Sequence, residues 1–315
     1  MAGPVSYGQV MAMTAEVFAQ GGFFQRAAAA FADRVPAEPA DDGFFGPASV
    51  TWRLHTDLTG PVSGLRSLLL QALHPLAMAG VEQHSEWRED PGGRFASTAA
   101  YVVTTTYGDR AAARAAAMRV RKIHERVTGT DPVTGKEYAA GDPALLIWVH
   151  AALVDSGLAA ADRYGPRLSD ADKDKYVAEM TAAAELVGVP PVGFADGGAP
   201  ASAAELRAYF EAVRPSLATS KSTADVAAYL LDMPDVEPEL AGAWEVLANA
   251  AIASLPGWAR DMYGFGDGGK EPGSVPPDRE EVRQVLGVLD AVYLGEPGVL
   301  EARQRLMLRM RAVGQ

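Results

Sequence analysis

Five histidines, His55, His74, His84, His124 and His150, fall inside one stretch of the chain, and the 165 residues that follow contain none. Histidine is the side chain that most readily offers a neutral nitrogen to a metal or moves a proton near neutral pH. The chain has no cysteine, which excludes disulfides, Cys-ligated zinc, iron–sulfur clusters, thiolate-ligated haem and covalent haem attachment. Any haem must be held noncovalently, and histidine is the usual ligand for haem iron when cysteine is absent. His124 lies in Val120-Arg-Lys-Ile-His124-Glu-Arg-Val-Thr-Gly129 near the end of a helical stretch. Its plainer role is that of a cation complementing a helix C-terminus. His74, His84 and His150 read most simply as hydrogen-bonded core histidines, although any of them could line a pocket. Arg94 and Thr98, four apart, project from one helix face that Tyr101 and Thr105 continue. That pair could donate hydrogen bonds to bound dioxygen or to a haem propionate, while the common alternative for Arg94 is a surface carboxylate.

The elements that must position these residues are helical. Apolar residues recur at three- and four-residue spacing and alternation is nearly absent, so the expected class is all-α, a single large helical domain. Breakers predict helices at about 9–33, 62–87, 92–107, 109–128, 142–163, 169–187, 201–217, 222–232, 238–253, 255–264 and 278–312. Asp109, Asp142 and Ser169 stand where N-caps belong. The longest apolar stretch, Leu65 to Val81, is interrupted by Arg66, Gln71 and His74, which predicts a buried core helix and no transmembrane segment.

With 48% hydrophobic and 22% charged residues, the chain can bury a large core. A net charge of −12 repels phosphate backbones, no local cluster of Lys and Arg stands out against it, and nucleic acid is not an expected partner. The first residues have neither a basic segment leading into an apolar run nor a twin arginine, so a cytoplasmic location is expected. Three enzyme signatures fail. No histidine has a glutamate three residues before it, as a di-iron bundle requires; the fifth position of His124-Glu125 is Thr128, not the histidine of a zinc protease; and Gly264-Phe-Gly266-Asp-Gly-Gly269 follows a helix, not a strand.

Several ordered motifs nevertheless carry a resemblance. They are Trp52-Arg-Leu-His55, Leu69-Leu-Gln-Ala-Leu-His74-Pro75, Gly80-Val-Glu-Gln-His84-Ser85, Arg94-Phe-Ala-Ser-Thr98, Tyr107-Gly108, Ile123-His124 with Gly129, Trp148-Val-His150, and Leu255-Pro-Gly-Trp-Ala-Arg260-Asp-Met-Tyr263-Gly264. In order and spacing the segment from Trp52 to Gly264 resembles the haem-dependent family that includes the latex-clearing rubber oxygenases and the prenyl-chain-cleaving oxygenase of mycophenolic acid biosynthesis. The resemblance implies a helical fold around a b-type haem. His124 matches the proximal iron ligand, Arg94 and Thr98 match polar pocket residues, and His84 and His150 are secondary cofactor-binding candidates. It further implies an oxygenase that uses dioxygen or peroxide on an apolar small molecule, with alkene or isoprenoid-type cleavage as the family-like outcome. The same ligand would equally serve a noncatalytic haem or gas-binding protein.

Two departures bear on the substrate. The lysine that can occupy the distal iron position in rubber oxygenases is here Ser97, and neither Glu82 nor Glu86 stands at the position of their catalytic glutamate. Rubber oxygenases are also secreted, so polyisoprene is not expected. The expected organisation is a helical extension over 1–50, a haem-binding domain over 51–265, and a loop and helix over 266–315 packed on it.

Overall fold

The computed structural model describes residues 23–314; the part of the first expected helix before Phe23 lies outside them. In chain order the elements are α1 (Phe23–Arg34), α2 (Val50–His55), α3 (Gly60–Gln71), α4 (Pro75–His84), α5 (Pro91–Tyr107), α6 (Arg110–His124), β1 (Thr128–Thr130), β2 (Glu137–Ala139), α7 (Pro143–Tyr164), α8 (Asp170–Val187), α9 (Ala203–Val213), α10 (Lys221–Leu231), α11 (Ala241–Ser254), α12 (Gly257–Tyr263), α13 (Arg279–Tyr293) and α14 (Val299–Ala312). The protein is all-α apart from the β1–β2 hairpin, which is antiparallel and pairs Gly129 with Tyr138.

The core is built around α7, which packs against α3, α8, α11 and α13. Its small residues Ala151, Ala152, Ala160 and Ala161 are fully buried and let neighbouring helices approach closely, while Trp148 and Leu65, Leu69 and Leu70 of α3 fill the remaining space. Among the described residues α7 is the helix long and apolar enough to cross a membrane, and most of its apolar window is buried inside the fold. Within this core Arg66 keeps its guanidinium satisfied. It donates to the Ser254 carbonyl at 2.9 Å, to Ser156 Oγ at 2.8 Å and to Asp155 at 2.7 Å.

Four expectations are corrected. The helix expected over 62–87 is two helices, because Pro75 excludes the helical conformation at His74, which is extended (φ −92°, ψ 113°) and starts α4. The helix expected over 278–312 breaks before α14 at Gly298, whose φ of +84° suits only glycine. α6 stops at His124, where the 109–128 expectation continued into what is β1. The six-residue α2 was not anticipated, being too short to display a period. It is capped from afar: the Glu179 carboxylate accepts from Val50 N (3.2 Å), Thr51 N (2.8 Å) and Thr51 Oγ1 (2.8 Å).

The α5–α6 pair matters most for the site. Asp90 caps α5 by accepting from Gly93 N, and Asp109 caps α6 by accepting from Ala112 N. The turn between them is so short that the two helices run back along each other. Ala113, Ala116 and Ala117 form the buried face of α6, and His124 continues that face at its last residue. The turn is braced from outside by Gly43, where a Cβ would lie 2.4 Å from the Gly108 carbonyl oxygen.

Candidate functional site

The antiparallel run of α5 and α6 brings the first turn of α5 beside the last turn of α6, and so Arg94 beside His124. His124 is half-buried, with Nδ1 buried and unpartnered among the described residues. Burial, assisted by the Arg94 guanidinium, pushes its pKa below the ordinary histidine value. The ring is therefore held neutral, which is the form with a lone pair to give a metal. Arg94 is reached by solvent, yet the protein around it is dense enough for burial to lower its own pKa.

Thr98 stands on the same face as Arg94, as expected, but its hydroxyl donates to the Arg94 carbonyl at 3.0 Å, and Ser97 Oγ does the same. The Thr98 oxygen is thus presented as an acceptor. A turn further along, Tyr101 has a buried hydroxyl with no partner among the described residues. Burial pushes its pKa up to about 12, against the opposing influence of Arg121. Sequence reasoning recognised Tyr101 only as a continuation of the Arg94 face; the seven-residue spacing was the available signal, and the unpartnered hydroxyl was not legible.

The other histidines make different contacts. His84 is exposed and hydrogen-bonded through Nε2 to the Thr128 carbonyl at 3.1 Å, with its ring against Tyr138. It braces the hairpin that follows His124. His150 is buried in α7, where burial alone pushes its pKa down to about 4, and its Nε2 has no partner among the described residues. Neither makes a hydrogen bond to Arg94, Thr98 or His124. His55 bridges Thr106 Oγ1 (2.9 Å) and Tyr176 OH (3.2 Å) inside the fold. His74 packs on Trp148, with its pKa lowered by burial against the pull of Asp131 and Asp142.

Among the described residues no three metal-binding side chains converge. The donor set at the α5–α6 end is a single neutral imidazole with a cation and a phenol nearby. Such a set suits a metal whose remaining ligands come from a macrocycle. An all-α scaffold with one available imidazole is a recognised class of redox-cofactor host. The chain belongs to the family described as ER-bound oxygenase mpaB/B'/Rubber oxygenase, catalytic domain, whose model matches residues 52–291. The match starts at Trp52 and runs past Gly264 through most of α13. No curated protein and no solved structure matches the chain. Membership places it among oxygenase catalytic domains, and so among oxidoreductases.

Proposed function

We propose that this oxygenase holds a b-type haem through His124 and oxidises an apolar small molecule with dioxygen or peroxide, alkene or isoprenoid-type cleavage being the family-like outcome. The observation that carries the reading is the pairing of a neutral, half-buried His124 with Arg94 in a chain of this family. Haem, when bound, supplies the iron at which the oxidant is activated. The chain's own residues do the rest. His124 offers a neutral ring nitrogen, and the charge on Arg94 discourages its protonation. Arg94 offers N–H donors and a full positive charge to a propionate or to an oxygen atom gaining electrons. Thr98 accepts, since its proton is committed to the main chain. Tyr101 keeps its proton near neutral pH and can donate it.

The test is the ultraviolet–visible spectrum of haem-supplemented protein beside His124→Ala. A Soret band in the parent that is lost or strongly shifted in the variant supports axial ligation. A parent with no Soret band ends the haem reading, and identical spectra move the ligand elsewhere, with His150 and His84 next in line. Turnover of an apolar alkene with dioxygen or peroxide separates an oxygenase from a haem or gas-binding protein.

A further inference from the structure

We propose that the solvent face of α6 docks the protein on an anionic lipid bilayer. Residues 110–126 carry Arg110, Arg114, Arg119, Arg121, Lys122 and Arg126 against a single acid, Glu125, in a chain whose net charge is −12. Four of the cations fall within residues 119–126; the helix adds Arg110 and Arg114 to the surface left free by the buried Ala113, Ala116 and Ala117. None of the six is ion-paired to a carboxylate among the described residues, although fourteen ion pairs form elsewhere.

Helix stability does not account for the pattern. Cations complement the dipole in the last turn, but Arg110 opens the helix with no acid in the first turn, where the dipole disfavours a positive charge. Two large apolar side chains lie among the cations, Met118 at 55% and Ile123 at 60% exposure. Beside the helix runs an open groove of about 350 Å³, with Phe44, Met118 and Leu186 as its apolar lining, Arg114 and Arg121 along it, and Glu185 as its one carboxylate. Arg114 rests over the Phe44 ring, and Arg121 is tied to the Glu185 and Leu186 carbonyls. Apolar surface edged by guanidinium groups is the chemistry that meets an acyl chain and its phosphate together. The cations extend over roughly 25 Å, from Arg110 at the start of α6 to Arg126 just past its end, a spread that suits a surface of many identical headgroups. The reading does not depend on haem, although the face adjoins the end of α6 that carries His124.

The experiment is flotation of the purified full chain with vesicles of phosphatidylcholine alone or of phosphatidylcholine with phosphatidylglycerol, at low and high salt. The parent is expected to float only with the anionic vesicles and to be released by salt. The side chains of Arg119, Lys122 and Arg126 make no hydrogen bond or ion pair among the described residues, so the triple variant Arg119→Gln, Lys122→Gln, Arg126→Gln should keep its far-ultraviolet melting curve. It should lose affinity for the vesicles about a hundredfold, at roughly fivefold per charge removed. Absence of parent flotation, equal flotation with both vesicle types, or a triple variant that floats like the parent overturns the proposal. Salt-sensitive self-association without flotation also overturns it and assigns the face to the acidic surface of a second copy.

Discussion

Acidification from pH 7 to pH 5 should destabilise this protein well before its carboxylates begin to take up protons, because burial pushes His55 and His150 down to about 4. Above the ordinary histidine value of about 6.5 both rings are neutral in the folded and the unfolded chain, and neither contributes a pH dependence. Below it the unfolded chain binds protons that the folded protein refuses. Each ring then lowers stability by up to about 1.4 kcal/mol per pH unit, and the loss levels off once the folded ring itself protonates near pH 4. Integrated between pH 7 and pH 5, this is about 2 kcal/mol per ring and about 4 kcal/mol for the pair, a large part of a typical total of about 5–15 kcal/mol. The assay is urea unfolding of the apoprotein, followed by far-ultraviolet circular dichroism at several pH values, for the parent and His150→Leu. Leucine fills most of the space and removes the buried, unpartnered Nε2. The variant should lose about 2 kcal/mol less than the parent over the interval. Parallel stability curves for the two proteins would refute the assignment of His150 as a buried neutral ring.

Three further outcomes follow from the packing. Arg66→Met should cost about 3 kcal/mol in urea unfolding, since it leaves Asp155 and Ser156 without their shared guanidinium; an unchanged midpoint would mean that the cluster contributes nothing net. Gly43→Ala should cost about 2 kcal/mol, because φ is +75° and the new Cβ meets the Gly108 carbonyl, a backbone atom that cannot swing away; a thermal melt within a degree of the parent would contradict it. Tyr101→Phe should raise apoprotein stability by about 1 kcal/mol by removing a buried hydroxyl that has no partner; a fall in stability would reveal a partner outside the described residues.

Where local chemistry fixes a structural feature, the sequence declared it. Asp109, Asp142 and Ser169 stand at helix starts and accept from Ala112 N, Ala144 N and Asp172 N. Arg94 and Thr98 share a face because four residues make about one helical turn. The break at His74 was written in Pro75, yet apolar periodicity running through it on both sides masked the signal. Long-range packing was not readable at all. Apolar neighbours mark His150 as a core residue and charged neighbours mark His124 as a helix-end residue, but nothing local places His124 beside Arg94. Likewise nothing near Glu179 announces that its carboxylate serves a helix more than a hundred residues earlier. Of the cations of α6, those at 119–126 stand together in the sequence, whereas Arg110 and Arg114 join them only once the helix forms.

That Glu179 contact has a consequence for the order in which the protein matures. α2 is six residues long, far below the length at which a helix persists in water; Ser49 caps Trp52 N locally, but the amides of Val50 and Thr51 are satisfied by an acceptor 128 residues downstream of Thr51. During synthesis α2 cannot be secured until α8 has left the ribosome. The segment that carries Trp52 and His55 can meet Thr106 of α5 once the α5–α6 pair forms, but the amides at its start wait for α8. A chain cut short before Glu179 would own every residue of the proposed haem site and still lack the carboxylate that holds the start of α2.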